Sequence, residues 1–315
     1  MRLDLTDTSS SEPTILLRRE ALAAGVDDRA LRRAVRAGEL VRVRHGAYIA
    51  ADDWGRADGR ERHLITARAL HRTHGDRVAF SHHTAACLHG LDLWDVDLRR
   101  LHVTRADDKH GRRANDVVHH QGLVEPNELT WVRGLPVVPV SRAALESASL
   151  VSLEQGLVTL DSALRNDLCD KEALAHRYAA VGGWPHSLGL QLAVTLADGR
   201  HESAGETRTG HLLWRSGLPA PVPQLEILLD GRVIARVDFA WPEHGVVLEF
   251  DGRKKYLKYL RPGESVTDAV LREKKREDLI REVTGWIVIR VVWADLADPR
   301  RLVARIERAM RRAAA

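Results

Sequence analysis

Three carboxylates in the stretch RVDFAWPEHGVVLEFDGRKKY, residues 236–256, have the types and spacing to do chemistry. If Pro242-Glu243-His244-Gly245 connects a β-hairpin, Trp241 pairs with Val246, Phe239 with Leu248 and Asp238 with Glu249. Side chains alternate along a strand, so one face carries Val237, Phe239, Trp241, Val246, Leu248 and Phe250. The other carries Ala240, Val247, Asp238, Glu249 and Asp251. Directly opposed residues have Cβ atoms roughly 4.5–5.5 Å apart, so two carboxylates repel unless a cation or a shared proton lies between them. A Mg2+ ion held by Asp238, Glu249 and Asp251 would meet that need and leave positions for water and a phosphate oxygen. The alternative is an ion-pair network in which Arg236, opposite Asp251, and Arg253 neutralise the acids. Both faces read as largely apolar, and a buried ion pair is weak as a source of stability, so the metal is preferred.

Several elements must position these groups. ESAGETRTGHLLWRSG reads as a helix in which Ser203 and Glu206 form a capping box, the structural role open to Glu206. A strand pair joined at Asp230-Gly231 follows, then the hairpin, the charged helix DAVLREKKREDLIREVTGW and the strand WIVIRVVWADL. Helix, three strands, basic helix and strand describe an α/β core with helices around a mixed sheet.

A second chemical pattern lies near the N-terminus. The periodic stretch after Pro13 stops at Gly25, Asp27 caps a second helix, and DDRALRRAVRAG turns Leu31 and Val35 inward and Arg29, Arg32, Arg33 and Arg36 outward. LVRVRHGAYIA then reads as a hairpin turning at His45-Gly46. That order is a winged helix-turn-helix, whose second helix enters the major groove of double-stranded DNA while Arg42 and Arg44 on the wing reach phosphates. A solvated arginine face is the bland alternative. DNA is preferred because the basic residues sit on the two elements such a motif exposes. Farther on, Ser81 and Ser141 are expected to cap helices, Ser152 with Gln155 makes a capping box, and short strands fall near 101–104 and 117–120. His82, His83, His89, His119 and His120 lack the spacing of a zinc set and read as surface and capping histidines.

Two resemblances accompany this reading. ALAAGVDDRALRRAVRAGELVRVRHGAYIA, FSHHTAACLHGLDLW, LHVT and GLPVVPVSRAALESA resemble the AbiEi-type antitoxin family over residues 14–165. That likeness implies an N-terminal winged-helix DNA-binding domain and a second domain that contacts a toxin protein or DNA. GETRTGHLLWRSGLPAPVPQ, ARVDFAWPEHGVVLEFDG, EKKRED and GWIVIRVVWADL look like the Vsr branch of the PD-(D/E)XK restriction-endonuclease-like superfamily over residues 200–297. It implies Mg2+-dependent phosphodiester hydrolysis, with Asp238 and Glu249 as motif acids and Glu206 as the acid of the first helix. Asp251 stands where the usual pattern has a lysine, so Lys274 or Lys254 would have to bring the positive charge.

The chain has 315 residues, 44% hydrophobic and 29% charged, which suits an α/β protein of several domains. The expected division is a winged helix at 1–54, an AbiEi-like middle domain at 55–197 and an endonuclease-like domain at 198–315. No apolar run approaches the roughly 20 residues of a membrane span, and the expectation is a cytoplasmic protein. Cys87 and Cys169 lack metal spacing and read as small hydrophobes. The expected function is a DNA-binding protein with an endonuclease domain, and the rival is a non-catalytic antitoxin or repressor.

Overall fold

The computed structural model describes residues 12–75, 78–105, 113–114, 116–122, 126–181, 189–252 and 265–313. Two compact units emerge where the sequence suggested three consecutive domains. One takes residues 1–159 and 168–191, the other 160–167 and 192–315. The last turn of the helix Leu153–Arg165 belongs to the second unit because Asp161, 1% exposed, binds there. Its carboxylate accepts hydrogen bonds from the Asp198 N–H at 2.8 Å and the Thr207 hydroxyl at 2.7 Å, and its Oδ2 lies 2.8 Å from His201 Nδ1.

The first unit opens with β1 (Leu16–Leu17), α1 (Arg18–Ala23), α2 (Asp28–Arg36), β2 (Leu40–Arg44) and β3 (Ala47–Ala50). The strands form a sheet in the order β1-β3-β2. Asp27 caps α2 as expected, accepting from the Ala30 N–H at 2.7 Å. Ala21, Val26, Leu31 and Leu40 pack together beneath the two helices, so the period-3.6 apolar positions are the ones buried. The helix α3 (Ala51–Arg56) and α4 (Gly59–His74) follow, and Ile65 and Ala69 of α4 pack on Leu17 and Ile49.

The rest of this unit is built on a six-stranded mixed sheet. Its members are β4 (Val78–Phe80), β5 (Leu101–Arg105), β6 (Arg113–Ala114), β7 (Val117–His120), β8 (Thr130–Val132) and β9 (Leu135–Val137), in the order β6-β7-β5-β4-β9-β8. Helices α5 (His82–Leu88), α6 (Val140–Ala148), α7 (Leu153–Arg165) and α8 (Lys171–Val181) accompany it. The Ser152–Gln155 capping box forms as expected. Ser81 precedes α5 without a capping bond, and Ser141 lies inside α6 rather than before it.

The second unit continues through α9 (Leu190–Leu196) and α10 (Ala204–Arg215) to β10 (Val222–Leu229), β11 (Arg232–Trp241) and β12 (Val246–Phe250). Then come α11 (Val266–Thr284), β13 (Ile287–Val291), α12 (Trp293–Ala297) and α13 (Pro299–Ala313). The sheet order is β10-β11-β12-β13, with the first two pairings antiparallel and the last parallel. Apolar residues of α10, α12 and α13 pack on one face with Phe239, Leu248 and Phe250, while Ile280 and Val283 of α11 pack on the other with Ala240 and Val247. Gly205 fixes how α10 approaches: a Cβ there would come 2.0 Å from Phe250 Cε1.

Hairpin register follows the turn length, with Phe239 opposite Leu248, Ala240 opposite Val247 and Trp241 opposite Val246. Strict alternation then breaks. Val237 packs with Ala240 and Val247, not with Phe239 and Trp241. The break falls at Asp238, whose Oδ2 accepts the Phe250 N–H at 2.7 Å, so a side chain replaces a ladder bond. On β10, the neighbouring Gln224 has φ +52.

Candidate functional site

On α2, Arg29, Arg32, Arg33 and Arg36 are all exposed, as the helical period requires. None of the four forms a salt bridge among the described residues, and the one nearby pair, Arg18 with Asp28 at 2.5 Å, leaves them out. Arg42 on β2 is exposed and lies 2.8 Å from His45 Nδ1 through its Nη2. Arg44 departs from the expectation of a phosphate-facing wing residue. Its side chain is only 11% exposed and its Nε lies 2.8 Å from Asp116. Burial lowers the pKa of Arg44, with the Asp116 charge opposing. The ladder shifts register between Arg42 and Arg44, which turns their side chains to different surroundings.

In the second unit Asp238, Glu249 and Asp251 line one cavity of about 400 Å³. Its wall holds five carboxylates and four guanidinium groups, so it is close to charge balance without a metal. Arg276 of α11 donates to Glu249 Oε1 at 2.6 Å and to Glu273 Oε1 at 2.5 Å. Arg290 of β13 lies 3.4 Å from Asp251, 3.4 Å from Glu273 and 2.8 Å from Glu277. Glu249 is 6% exposed, and burial pushes its carboxyl up against the lowering by Arg276, with the charges of Asp238 and Glu273 acting in the same direction as burial. Burial acts to lower Arg276, but its bond to Glu273 and the Glu249 charge outweigh that and hold its pKa up.

Magnesium asks for near-octahedral oxygen ligands at about 2.0–2.1 Å. The residues in this arrangement do not fit it. Among the described residues no group of three or more His, Cys, Asp or Glu is placed to hold a metal ion. The guanidinium of Arg276 is bonded to Glu249, that of Arg290 to Asp251, and one Asp238 oxygen to a backbone N–H. The ion-pair alternative named Arg236 and Arg253. Arg236 pairs instead with Glu202, and Arg253, like Lys254, lies outside the described residues.

Two further expected residues take other places. Glu206, 0% exposed, is held at the start of α10: Ser203 Oγ accepts its N–H at 3.3 Å and donates to Oε1 at 2.8 Å, and the Glu202 N–H donates to Oε2 at 2.7 Å. It meets residues of the cavity wall through Gln224, whose Nε2 donates to it at 3.0 Å, and through the Glu202 N–H. Lys274 is exposed and lines no part of the cavity. Two residues from Arg276 on a helix, it points roughly 160° away around the axis.

Residues 5–51 match the family model described as transcriptional regulator, AbiEi antitoxin. That match spans the stretch that carries the exposed arginines of α2. Over 282 residues, 89% of this chain and 95% of each relative, the sequence is 29% identical to two Mycobacterium tuberculosis proteins. They are Uncharacterized protein MT2308 of strain CDC 1551 / Oshkosh and Uncharacterized protein Rv2248 of strain ATCC 25618 / H37Rv. The crystal structure of RV2827C protein from Mycobacterium tuberculosis is similar at TM-score 0.38 and 17% identity, over 66% of this chain and 74% of that one. No helix among the described residues is long and apolar enough to cross a membrane.

Sequence reasoning missed a buried histidine cluster in the first unit. His82 and His83, expected at the surface, are 8% and 5% exposed. The His82 ring stacks on His120 at 3.5 Å between centroids, and His102 Nδ1 lies 2.8 Å from His120 Nε2. Burial is the first cause of lowering in each case, pushing His83 to about 4 and His102 to about 3. His83 Nδ1 lies 2.7 Å from Ser147 Oγ, and the neighbouring Glu146 bonds Arg142 at 2.7 Å. The cluster joins α5, β5, β7 and α6, which no local spacing reveals. Cys87 and Cys169 are pushed up to about 11 by burial, which suits inert thiols.

Proposed function

We propose that the chain is a DNA-binding regulator. Its segment from β1 to β3 acts as a winged helix-turn-helix, with α2 in the major groove and Arg29, Arg32, Arg33, Arg36 and Arg42 on phosphates or base edges. The observation that carries this reading is the exposed arginine face of α2, unpaired by any salt bridge among the described residues, within the stretch matched to a transcriptional regulator family. The same family match supports a cognate toxin protein as a second partner. Fluorescence anisotropy of duplex DNA across a salt series tests the DNA contact. Each phosphate contact contributes about 0.9 to the log–log salt slope, so the double variant Arg32→Glu/Arg36→Glu should lower the slope by roughly 2. An unchanged slope and affinity would remove α2 as the contact.

A second reading is a Mg2+-dependent phosphodiesterase of Vsr-like PD-(D/E)XK type in the second unit. One observation favours it: Asp238, Glu249 and Asp251 share a single cavity beside a four-stranded mixed sheet. For the acids to serve as metal ligands, with Glu206 behind them, Arg276 would have to leave Glu249 and Arg290 would have to leave Asp251. Lys274 has no place in the cavity wall, whose cations among the described residues are arginines, and Lys254 lies outside the described residues. Nicking of supercoiled plasmid with Mg2+, wild type against Glu249→Ala, decides it. Nicking absent from both proteins would leave the regulator alone.

A further inference from the structure

We propose that Arg276 is the resident cation of the Asp238–Glu249 cavity and keeps divalent metal out of it. The inference does not rest on the DNA-binding reading, and it opposes the Mg2+-dependent one, since it concerns which cation the carboxylates hold.

Three observations converge. First, Arg276 reaches Glu249 at 2.6 Å and Glu273 at 2.5 Å through the same Nη2, while its Nη1 donates to the Arg236 carbonyl at 3.3 Å. A guanidinium donating to two carboxylates and a backbone carbonyl is fixed in position. Second, Glu249 is deeply buried and its strand neighbour across β13 is Arg290, whose guanidinium serves Glu273, Glu277 and Asp251. Both cations reach the cavity from elements that follow the acids in sequence, α11 and β13. Third, Asp238 already spends one oxygen on the Phe250 N–H, which ties it to the strand and limits how it could swing to a metal.

The physical reason for choosing a guanidinium is that a buried carboxylate needs a positive partner, and a divalent ion must shed water to reach it. A tethered cation is present at high effective concentration and needs no loading from solution. With four guanidinium groups against five carboxylates the cavity is nearly neutral as folded, so a divalent ion would bring excess positive charge unless an arginine left. Removing Arg276 leaves Glu249 without its guanidinium partner and Glu273 with Arg290 at 3.4 Å, and should turn the cavity into a divalent-ion site.

The test uses the full chain and Mn2+ as the probe, with free Mn2+ followed by its paramagnetic resonance signal. Wild type should show no saturable binding at micromolar Mn2+, and its urea midpoint should not move with millimolar Mg2+. Arg276→Met should bind Mn2+ at least about tenfold more tightly than wild type. Arg276→Lys, which keeps the charge, should stay like wild type. Adding Glu249→Gln to Arg276→Met should abolish the gain. Wild type binding Mn2+ as well as Arg276→Met, or a Mg2+-dependent rise in its urea midpoint, would overturn the proposal. So would a folded Arg276→Met, judged by circular dichroism, that binds no Mn2+. Should Arg276→Met fail to fold, the wild-type urea measurement still decides. Loss of DNA binding in the α2 variant would leave all these outcomes unchanged, so the two ideas fail separately.

Discussion

The arginines of α2 and those around Glu249 are the same residue type in opposite circumstances. Arg29, Arg32, Arg33 and Arg36 stand on an exposed helix face with no carboxylate in salt-bridge reach among the described residues. Arg276 and Arg290 are partly buried and bonded to Glu249, Glu273, Glu277 and Asp251. An arginine whose charge is already answered inside the fold contributes to the stability of its own unit, and one left unanswered can contribute binding energy to a polyanion. The chain's formal charge of +4 does not separate the two kinds, and only the partner of each guanidinium does.

The largest expected effect comes from breaking the sequestered set. Arg276→Ala strands Glu249, whose side chain is 8% exposed, and should cost about 3 kcal/mol of unfolding free energy in urea, at the low end for a buried pair because Arg276 itself is 28% exposed. Glu249→Gln should cost less, since Arg276 keeps Glu273 and some contact with water. Equal losses in the two variants would mean that Glu249 is not held by Arg276.

A second group of bases sharpens the contrast, because the fold holds them uncharged. His83 is lowered to about 4 and His102 to about 3, first by burial. His63, His82 and His120 face them, with Arg100, Arg142, Glu146 and Asp97 among the charged groups nearby. A histidine whose folded pKa lies below its unfolded value of about 6.5 favours the folded state fully above that value and loses the contribution as pH falls toward the folded one. Stability should therefore drop on the order of 2 kcal/mol between pH 6.5 and 4.5. His83→Gln should flatten that slope; a wild-type curve that is already flat would show the cluster to be hydrated.

Parts of this were legible in sequence and parts were not, for physical reasons. The arginine face of α2 follows from a 100° helical step and the position of Leu31, and the hairpin register follows from a four-residue turn, so both were readable locally. Membership of the acid cavity was half readable. Asp238, Glu249 and Asp251 come from adjacent strands, but Arg276 arrives from a helix 27 residues beyond Glu249, and nothing in EKKRED says which of its cations turns inward. The helix phase selects Arg276 over Lys274 only once Ile280 is known to be core, since Arg276 and Ile280 lie about one turn apart along the same face and Lys274 does not. The histidine cluster was hidden because four elements bury it together. The unit boundary was hidden because one turn of α7 carries Asp161 into the second unit.

The smallest effect separates position from partnership within a single strand. Arg42 and Arg44 are two residues apart on β2, and a sequence reading gives both to DNA. If the partner decides, they should behave differently. Arg42→Ala should lower the log–log salt slope of duplex binding by about 0.9, the share of one phosphate. Arg44→Ala should leave that slope unchanged and cost under about 1 kcal/mol in urea, because it loses a pair with the half-exposed Asp116. Asp116→Ala is the complement: it frees the Arg44 guanidinium, so any DNA contact it gains should appear as a steeper slope. A fall in slope with Arg44→Ala equal to that with Arg42→Ala would mean that the ion pair opens on binding, and that sequestration inside the fold is weaker than competition from phosphate.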